Sequence, residues 1–582
     1  MFRMLTVLSL SLALCPALYA ATHYVPDDFA AIQEAINSPL VMNGDTVIVR
    51  AGTWYENINF KGKAIHVKSE SGPDVTTIDG RRLNTVVTFD YGEGPDSILD
   101  GFTITNGHAA VAGGILCFFP SSPTIRNNMV IGNTSVEDCG GVMTVQSDAV
   151  IEYNVIQLNQ ALGEYGGGVY IDGASPIISH NEILDNDCAL EGGGIFCGGA
   201  TTAVVENNTV SGNFAVMGGG IFCCNCSPLL RGNVIKDNTA QKAGGGIVSK
   251  NYSAPLIMEN VITSNTAIEL WGGGIFCPSS AAEIIGNTIS QNVAQYGGGL
   301  CCSFLTSTVS ENLIFENHAL LEGGGVYCNK SNSTYANNSI YSNQAERGGG
   351  MFLYESSPII TNCTAYGNTA QVDGGGLCGT NGYFPAVMNC IIWNNTPDPV
   401  KDIHQVNYCD LEGGWVGPGN ISQDPGFVDA AIGDFHLTWT SPCRDMGWNN
   451  GAALPDLDYE GDPRITDGFT DMGADEYHIR LYCTGDVTPG GSIQGKFVGS
   501  PGTAPVGLWL GAGVLEDPLH SAFGPWYLMA PFIGPLTLPP IPGNGVLKIP
   551  ATLPLLPEAP YDLPMQAIVG SALTNPCVLE VR

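Results

Sequence analysis

Gly272-Gly273-Gly274-Ile275-Phe276-Cys277, a Pro278-Ser279-Ser280 turn, an apolar run at Ile284-Ile285, then Asn287-Thr288-Ile289-Ser290-Gln291-Asn292: this stretch decides the fold because it recurs. Aligning the chain on its paired glycines brings Gly113, Gly140, Gly167, Gly193, Gly219, Gly245, Gly273, Gly298, Gly324, Gly349 and Gly375 into register at steps of 25 to 28 residues. The first Asn of the closing phrase recurs with them, from Asn128 and Asn154 to Asn362 and Asn389, and in most units a second Asn follows five residues later. The unit from Asn362 to Asn368 reads one residue longer.

A unit of about 26 residues holding three strands of about three to five residues cannot bury an apolar face alone, but copies stacked at the roughly 4.8 Å spacing of neighbouring strands close a continuous core. Glycine supplies backbone turns without a Cβ penalty, and Asn tolerates the left-handed region while its amide bonds to equivalents above and below. The pattern predicts an all-β solenoid of about eleven regular coils. Period-two alternation turns Ile275 and Cys277 inward, with their counterparts Ile195, Cys197, Ile221 and Cys223. Tyr170, Phe196, Phe222, Phe276, Tyr327 and Phe352 then point outward as an aromatic ladder. The inward cysteines read as packed thiols, whereas Cys409 with Cys443 and Cys483 with Cys577 fall outside that slot and are the better disulfide candidates.

The repeat resembles the right-handed parallel β-helix of the pectate-lyase-like superfamily, and Asn238-Thr239-Ala240 before Gly244-Gly245-Gly246-Ile247 is similar to repeats of chlamydial polymorphic outer-membrane proteins. Tyr24-Val25-Pro26-Asp27-Asp28-Phe29, Ala31 to Ile36 and Gly44-Asp45-Thr46-Val47 resemble the entry segment of secreted bacterial β-helix proteins. That resemblance implies a short helix, opened by Asp27 or Asp28, plugging the first coil. Asp424-Pro425-Gly426-Phe427, Ser441-Pro442-Cys443 and Asp471-Met472-Gly473-Ala474-Asp475-Glu476-Tyr477 resemble the family's closing coils. The expected organisation is a signal peptide over 1–20, a β-helix over 21–477 (cap 22–45, regular coils about 105–400, closing coils 401–477), and a Pro- and Leu-rich β-sandwich-like domain over 478–582. The exit signal places the protein outside the cell or on the outer surface of a bacterium.

A net charge of −34 on 582 residues argues against nucleic acid as a partner without a bridging cation. After the leader no stretch reaches about 18 apolar residues, so no transmembrane helix is expected, and the chain reads as a monomer. The repeat holds few bases. Lys236 and Lys242, within one coil of Asp237 and Asp185, are the nearest approach to the base-and-carboxylate cluster a polysaccharide lyase needs. Glu164, Glu191, Glu269, Glu322, Glu346 and Asp373, just before the glycines, read as an edge kept soluble by charge. Asp456, Asp458 and Asp462, with Asp467 near Arg464, form a denser acidic group that would take Ca2+ if it is a metal site, and a closing loop if it is not. The aromatic ladder is the candidate ligand surface, since a row of rings suits the C–H faces of sugars, unless loops cover it. The leading expectation is a non-catalytic secreted or cell-surface protein that adheres to polysaccharide or to a surface protein. The alternative is a polysaccharide lyase or glycoside hydrolase.

Overall fold

The computed structural model describes residues 20–477, apart from Asn381, Trp439, 452–453 and 466–467, and beyond them the backbone of the strands between Arg480 and Val581. Residues 1–19 of the expected signal peptide therefore lie outside the described residues. The chain divides into two compact units between Ala215 and Val216, the first a stack of short parallel strands and the second such a stack together with the antiparallel C-terminal strands.

In the first unit Thr22–Val25 pairs with Thr46–Val49, which pairs in turn with His66–Ser69. A regular coil supplies four strands rather than the three expected, as in Val142–Val145, Val150–Glu152, Val155–Gln157 and Gln160–Ala161. Register is strict, Val142 facing Val169 and Val169 facing Ile195. The second unit repeats the arrangement with Ile247–Lys250, Leu256–Met258, Val261–Thr263 and Thr266–Ala267. There the column Ile275, Leu300, Val326, Met351 and Leu377 is buried. The fourth strand follows the second Asn and turns a small residue inward, giving the buried column Ala240, Ala267, Ala294, Ala319 and Ala345.

The entry helix, Ile32–Asn37, buries Ile32, Ala35 and Ile36. Its start corrects the expectation that Asp27 or Asp28 opens it. Residues after Tyr24 first form a turn that Asp28 closes by accepting from the Tyr24 N–H (2.7 Å), while Asp27 pairs with Arg50. The free N–H groups of Ile32 and Gln33 are taken instead by the two carboxylate oxygens of Glu56, at 2.9 and 2.8 Å.

Asp100 knits the early coils together, facing His66 Nε2 at 3.0 Å and accepting from Asn127 Nδ2 at 2.9 Å and Arg126 Nε at 3.1 Å. Burial opposes its ionisation, and these partners overcome burial, holding the carboxyl well below the usual range. A depressed carboxyl stabilises the fold above its unfolded pKa and loses that contribution as pH falls toward its folded value. Asp100→Asn is therefore expected to cost about 1 kcal/mol at neutral pH, solvent screening included. In urea titrations at several pH values, the gap from the parent should close in strong acid.

Two Asn ladders run through each unit. In the second, Asn265 Nδ2 donates to Asn292 Oδ1 (3.0 Å) and to the Ile235 carbonyl (2.9 Å), its own N–H donates to Asn292 Oδ1 (2.9 Å), and its Oδ1 accepts from Asn238. The other ladder passes from Asn260 through Asn287 and Asn312 to Asn338. Asn362 and Asn389 do not continue it. Ser339 faces Thr364 and Thr364 faces Ile391, so Cys363, Cys390 and Cys409 occupy the ladder slot, with the Cys390 N–H donating to Cys409 Sγ at 3.3 Å. Counted from Cys363, the apparently longer unit has the ordinary spacing to Asn368. Asn362 and Asn389 instead take left-handed backbone at φ 48° and 53°. Each is buried and bonds to the closing segment: Asn362 Nδ2 donates to the Asp471 carbonyl (3.2 Å), and Asn389 Oδ1 accepts from the Trp448 N–H (2.8 Å).

The expected Cys409–Cys443 bridge is not formed. Both thiols are free, Cys443 lying 3.2 Å from Asp410 Oδ2 while Cys409 donates to the Asn407 carbonyl. Cys277, Cys302 and Cys328 are buried free thiols, as their inward slot requires, and burial pushes all three up. The Cys483–Cys577 pairing lies outside the residues whose side chains are described. The C-terminal strands are antiparallel, Ser492–Val498 pairing with Arg480–Gly485 and with Val546–Thr552, and Tyr561–Val569 pairing with Pro505–Leu510. No helix among the described residues is long and apolar enough to cross a membrane.

Candidate functional site

The outward residues do form a ladder. Tyr170 and Phe196 stack at 5.2 Å in the first unit, and Tyr327 and Phe352 at 5.9 Å in the second. Their faces, however, are covered: Phe196, Phe222, Phe276, Tyr327 and Phe352 are 0 to 6% exposed. This corrects the reading of an open sugar-binding face. In several coils the cover is the residue preceding the first glycine of a turn, and over Phe222 it is the Lys250 ammonium at 4.7 Å. Tyr165 lies 4.5 Å from Phe196, Trp271 lies 5.5 Å from Phe276, Tyr296 lies 5.4 Å from Tyr327, and the Arg347 guanidinium sits 5.2 Å over Phe352.

The glycines make this possible. Gly272 has φ +65°, and a Cβ there would meet Phe276 Cβ at 2.8 Å. Only a residue without a side chain lets the fourth strand double back so tightly over the ring. Burial pushes the Tyr170 and Tyr327 phenols up, as rings withdrawn from water require. Among the acidic residues before the glycines, Glu322 and Asp373 clasp Arg347 from either side, at 3.5 and 3.1 Å, whereas Glu164 and Glu269 are exposed.

Asp456, Asp458 and Asp462 do not assemble a metal site. Asp458 is fully buried and its oxygens are consumed by backbone, accepting from Glu460 N, Asp462 N and Glu476 N at 2.9, 2.9 and 3.0 Å. Arg464, also buried, donates to the Ala474 carbonyl and to Asn337 Oδ1, each at 2.6 Å. These residues fasten the closing loop against the coils. Asp467 lies outside the described residues.

The cover stops at the end of the stack. By register the ladder position passes from Phe352 to Cys378 and then to Lys401, on the strand Val400–Lys401. The last described cover strand is Thr369–Asp373, and Lys401 is exposed. Here an open cavity of about 670 Å³ is lined by Ile403, His404, Gly413, Gly414, Trp415 and Val416. A second, of about 320 Å³, shares Ile403, His404 and Trp415 and adds Asp398, Val400, Lys401 and Asp402. The Trp415 loop is pinned by Asn420, which accepts from Cys409 N–H (3.0 Å) and donates to the carbonyls of Val406 (2.9 Å) and Trp415 (3.2 Å). Asn420 thus resumes the ladder after three cysteine rungs and sets where Trp415 sits. Phe384, 58% exposed, lies 6.5 Å from His404 at the rim. A half-buried indole beside a cation, two carboxylates and an imidazole can stack on a sugar ring and bond its hydroxyls.

The family model described as "Right handed beta helix region" matches residues 42–189, 164–289 and 273–405. No curated protein matches the chain.

Proposed function

Because the chain belongs to the right-handed beta helix family, whose fold alone assigns no activity, we propose from the groove beside Trp415 that it is a secreted or cell-surface protein that binds polysaccharide non-catalytically. The carrying observation is the open groove around Trp415, His404 and Lys401, at the point where the solenoid's ladder loses its cover. Cavities of this size suit a few sugar residues. Asp398 and Asp402 beside the groove favour a neutral polymer over a polyuronate, which they would repel. The covered ladder serves the fold; the half-buried indole at the groove serves the ligand.

The test is a pull-down of the whole protein with a panel of neutral and uronate polysaccharides, together with an assay for reducing and unsaturated ends. Retention on a neutral polymer is expected, weakened roughly tenfold in Trp415→Ala, in line with the loss of an aromatic anchor. Released ends would replace this reading with the lyase or hydrolase alternative. Absence of retention on every polymer would overturn it.

A further inference from the structure

Closing the solenoid leaves one carboxylate unexplained. Asp475 is 4% exposed, and its Oδ2 accepts from the Leu437 N–H at 3.0 Å, but its Oδ1 has no hydrogen-bond partner. A buried carboxylate oxygen left bare is costly. The nearest cation in the same turns, Arg464, donates to the carbonyls of Gly473 and Ala474 and to Asn337 rather than to Asp475. Around Arg464 lie the buried carboxyls of Asp458, Asp471 and Glu476 as well. Acidic groups outnumber basic ones in these turns.

The bare oxygen faces His436. That imidazole, on the strand Asp434–Leu437, has a side chain 12% exposed; its Nε2 lies 3.9 Å from Asp475 Oδ1 and 3.0 Å from Glu460 Oε2. The three ligand atoms lie within 4.8 Å of one another, the only such group among the described residues. The other ring nitrogen is already committed, since His436 Nδ1 lies 2.5 Å from Asp434 Oδ1. A carboxylate can only accept, so Nδ1 carries a proton, and Nε2, facing Glu460 and Asp475, is the atom that would exchange its proton for a metal ion. A carboxylate behind the imidazole is the outer-shell arrangement that orients metal-ligating histidines. The Tyr459 hydroxyl, 3.0 Å from Nε2, completes the rim.

We propose that His436, Glu460 and Asp475 bind one divalent transition-metal cation. Zn2+ and its neighbours take ligands at about 2.0–2.2 Å, which draws donor atoms to about 3.4 Å apart, a small contraction of the present cluster. The imidazole selects such ions over Ca2+, whose ligands are oxygens. Glu460, with a side chain 27% exposed, opens the entry path, and three protein ligands leave a position for water. Because the ligands come from the strand Asp434–Leu437 and from two separate closing turns, the ion cross-links the segment that ends the solenoid.

The test uses the full chain stripped with chelator and titrated with Co2+ and then Zn2+. Expected are one bound equivalent, visible ligand-field bands without a thiolate-to-cobalt charge-transfer band, and a thermal midpoint that rises with Zn2+ concentration. Glu460→Gln and Asp475→Asn should each weaken binding roughly tenfold or more. Glu460 is exposed, so Glu460→Gln decides the matter even where Asp475→Asn folds poorly. No retained ion, affinity unchanged in Glu460→Gln, or a thiolate band placing the ion on cysteines would overturn the proposal.

Discussion

Arg464→Met is expected to destabilise the second unit by about 3–5 kcal/mol, the usual cost of removing one partner from a buried charge cluster, and to free the closing segment. The guanidinium is fully buried and reaches across 127 residues of sequence to Asn337 Oδ1, while also holding the Gly473 and Ala474 carbonyls and lying 3.7 Å from Glu476. Burial already pushes Glu476 up to about 9, against the pull of Arg464. Methionine fills the space of the arginine stem but leaves those carbonyls and carboxyls without a donor. Chemical denaturation should show the lower midpoint, and limited proteolysis should show new cleavage between residues 444 and 477. A variant as protease-resistant as the parent would mean that the closing segment is held by its backbone bonds alone.

Asn265→Asp should be comparably damaging, at about 3–5 kcal/mol, because each buried polar group left unpaired costs about 1–3 kcal/mol. The amide donates to Asn292 Oδ1 and to the Ile235 carbonyl; a carboxylate there has nothing to donate, and it sets oxygen against oxygen across the coils. Asn265→Ala would strand the Asn238 donors as well. A cysteine rung offers a contrast. Cys390→Ala, which removes only a weak donor and acceptor, should cost about 1 kcal/mol. Urea midpoints of the three variants check the order. Equal losses at residues 265 and 390 would show that the ladder works by packing and not by its amides.

Much of this molecule was legible in its repeats. A parallel stack in register places the same residue of every coil in one column, so the spacing from Gly113 to Gly375 and the recurring Asn pairs are the tertiary structure written along the chain. Even the fourth strand left a trace, the alanine two residues after the second Asn, which gives Ala240, Ala294 and Ala319. The error at Asn362 and Asn389 has the same source: where an Asn stands beside a Cys, letter matching follows the Asn, while strand pairing assigns the ladder slot to Cys363 and Cys390.

By itself, then, the sequence determined the coil, its inward columns and the run of outward rings, because these follow from period and alternation alone. Only the tertiary structure decided which surfaces remain open. The cover over Phe276 comes from Trp271, five residues earlier, but only because a left-handed glycine folds one over the other. The groove at Trp415 exists because the covering strands end before the stack does. The cluster of His436, Glu460 and Asp475 joins three segments that share no period. Contacts between non-repeating segments are set by where the chain closes on itself in space, and no spacing along the chain encodes that distance.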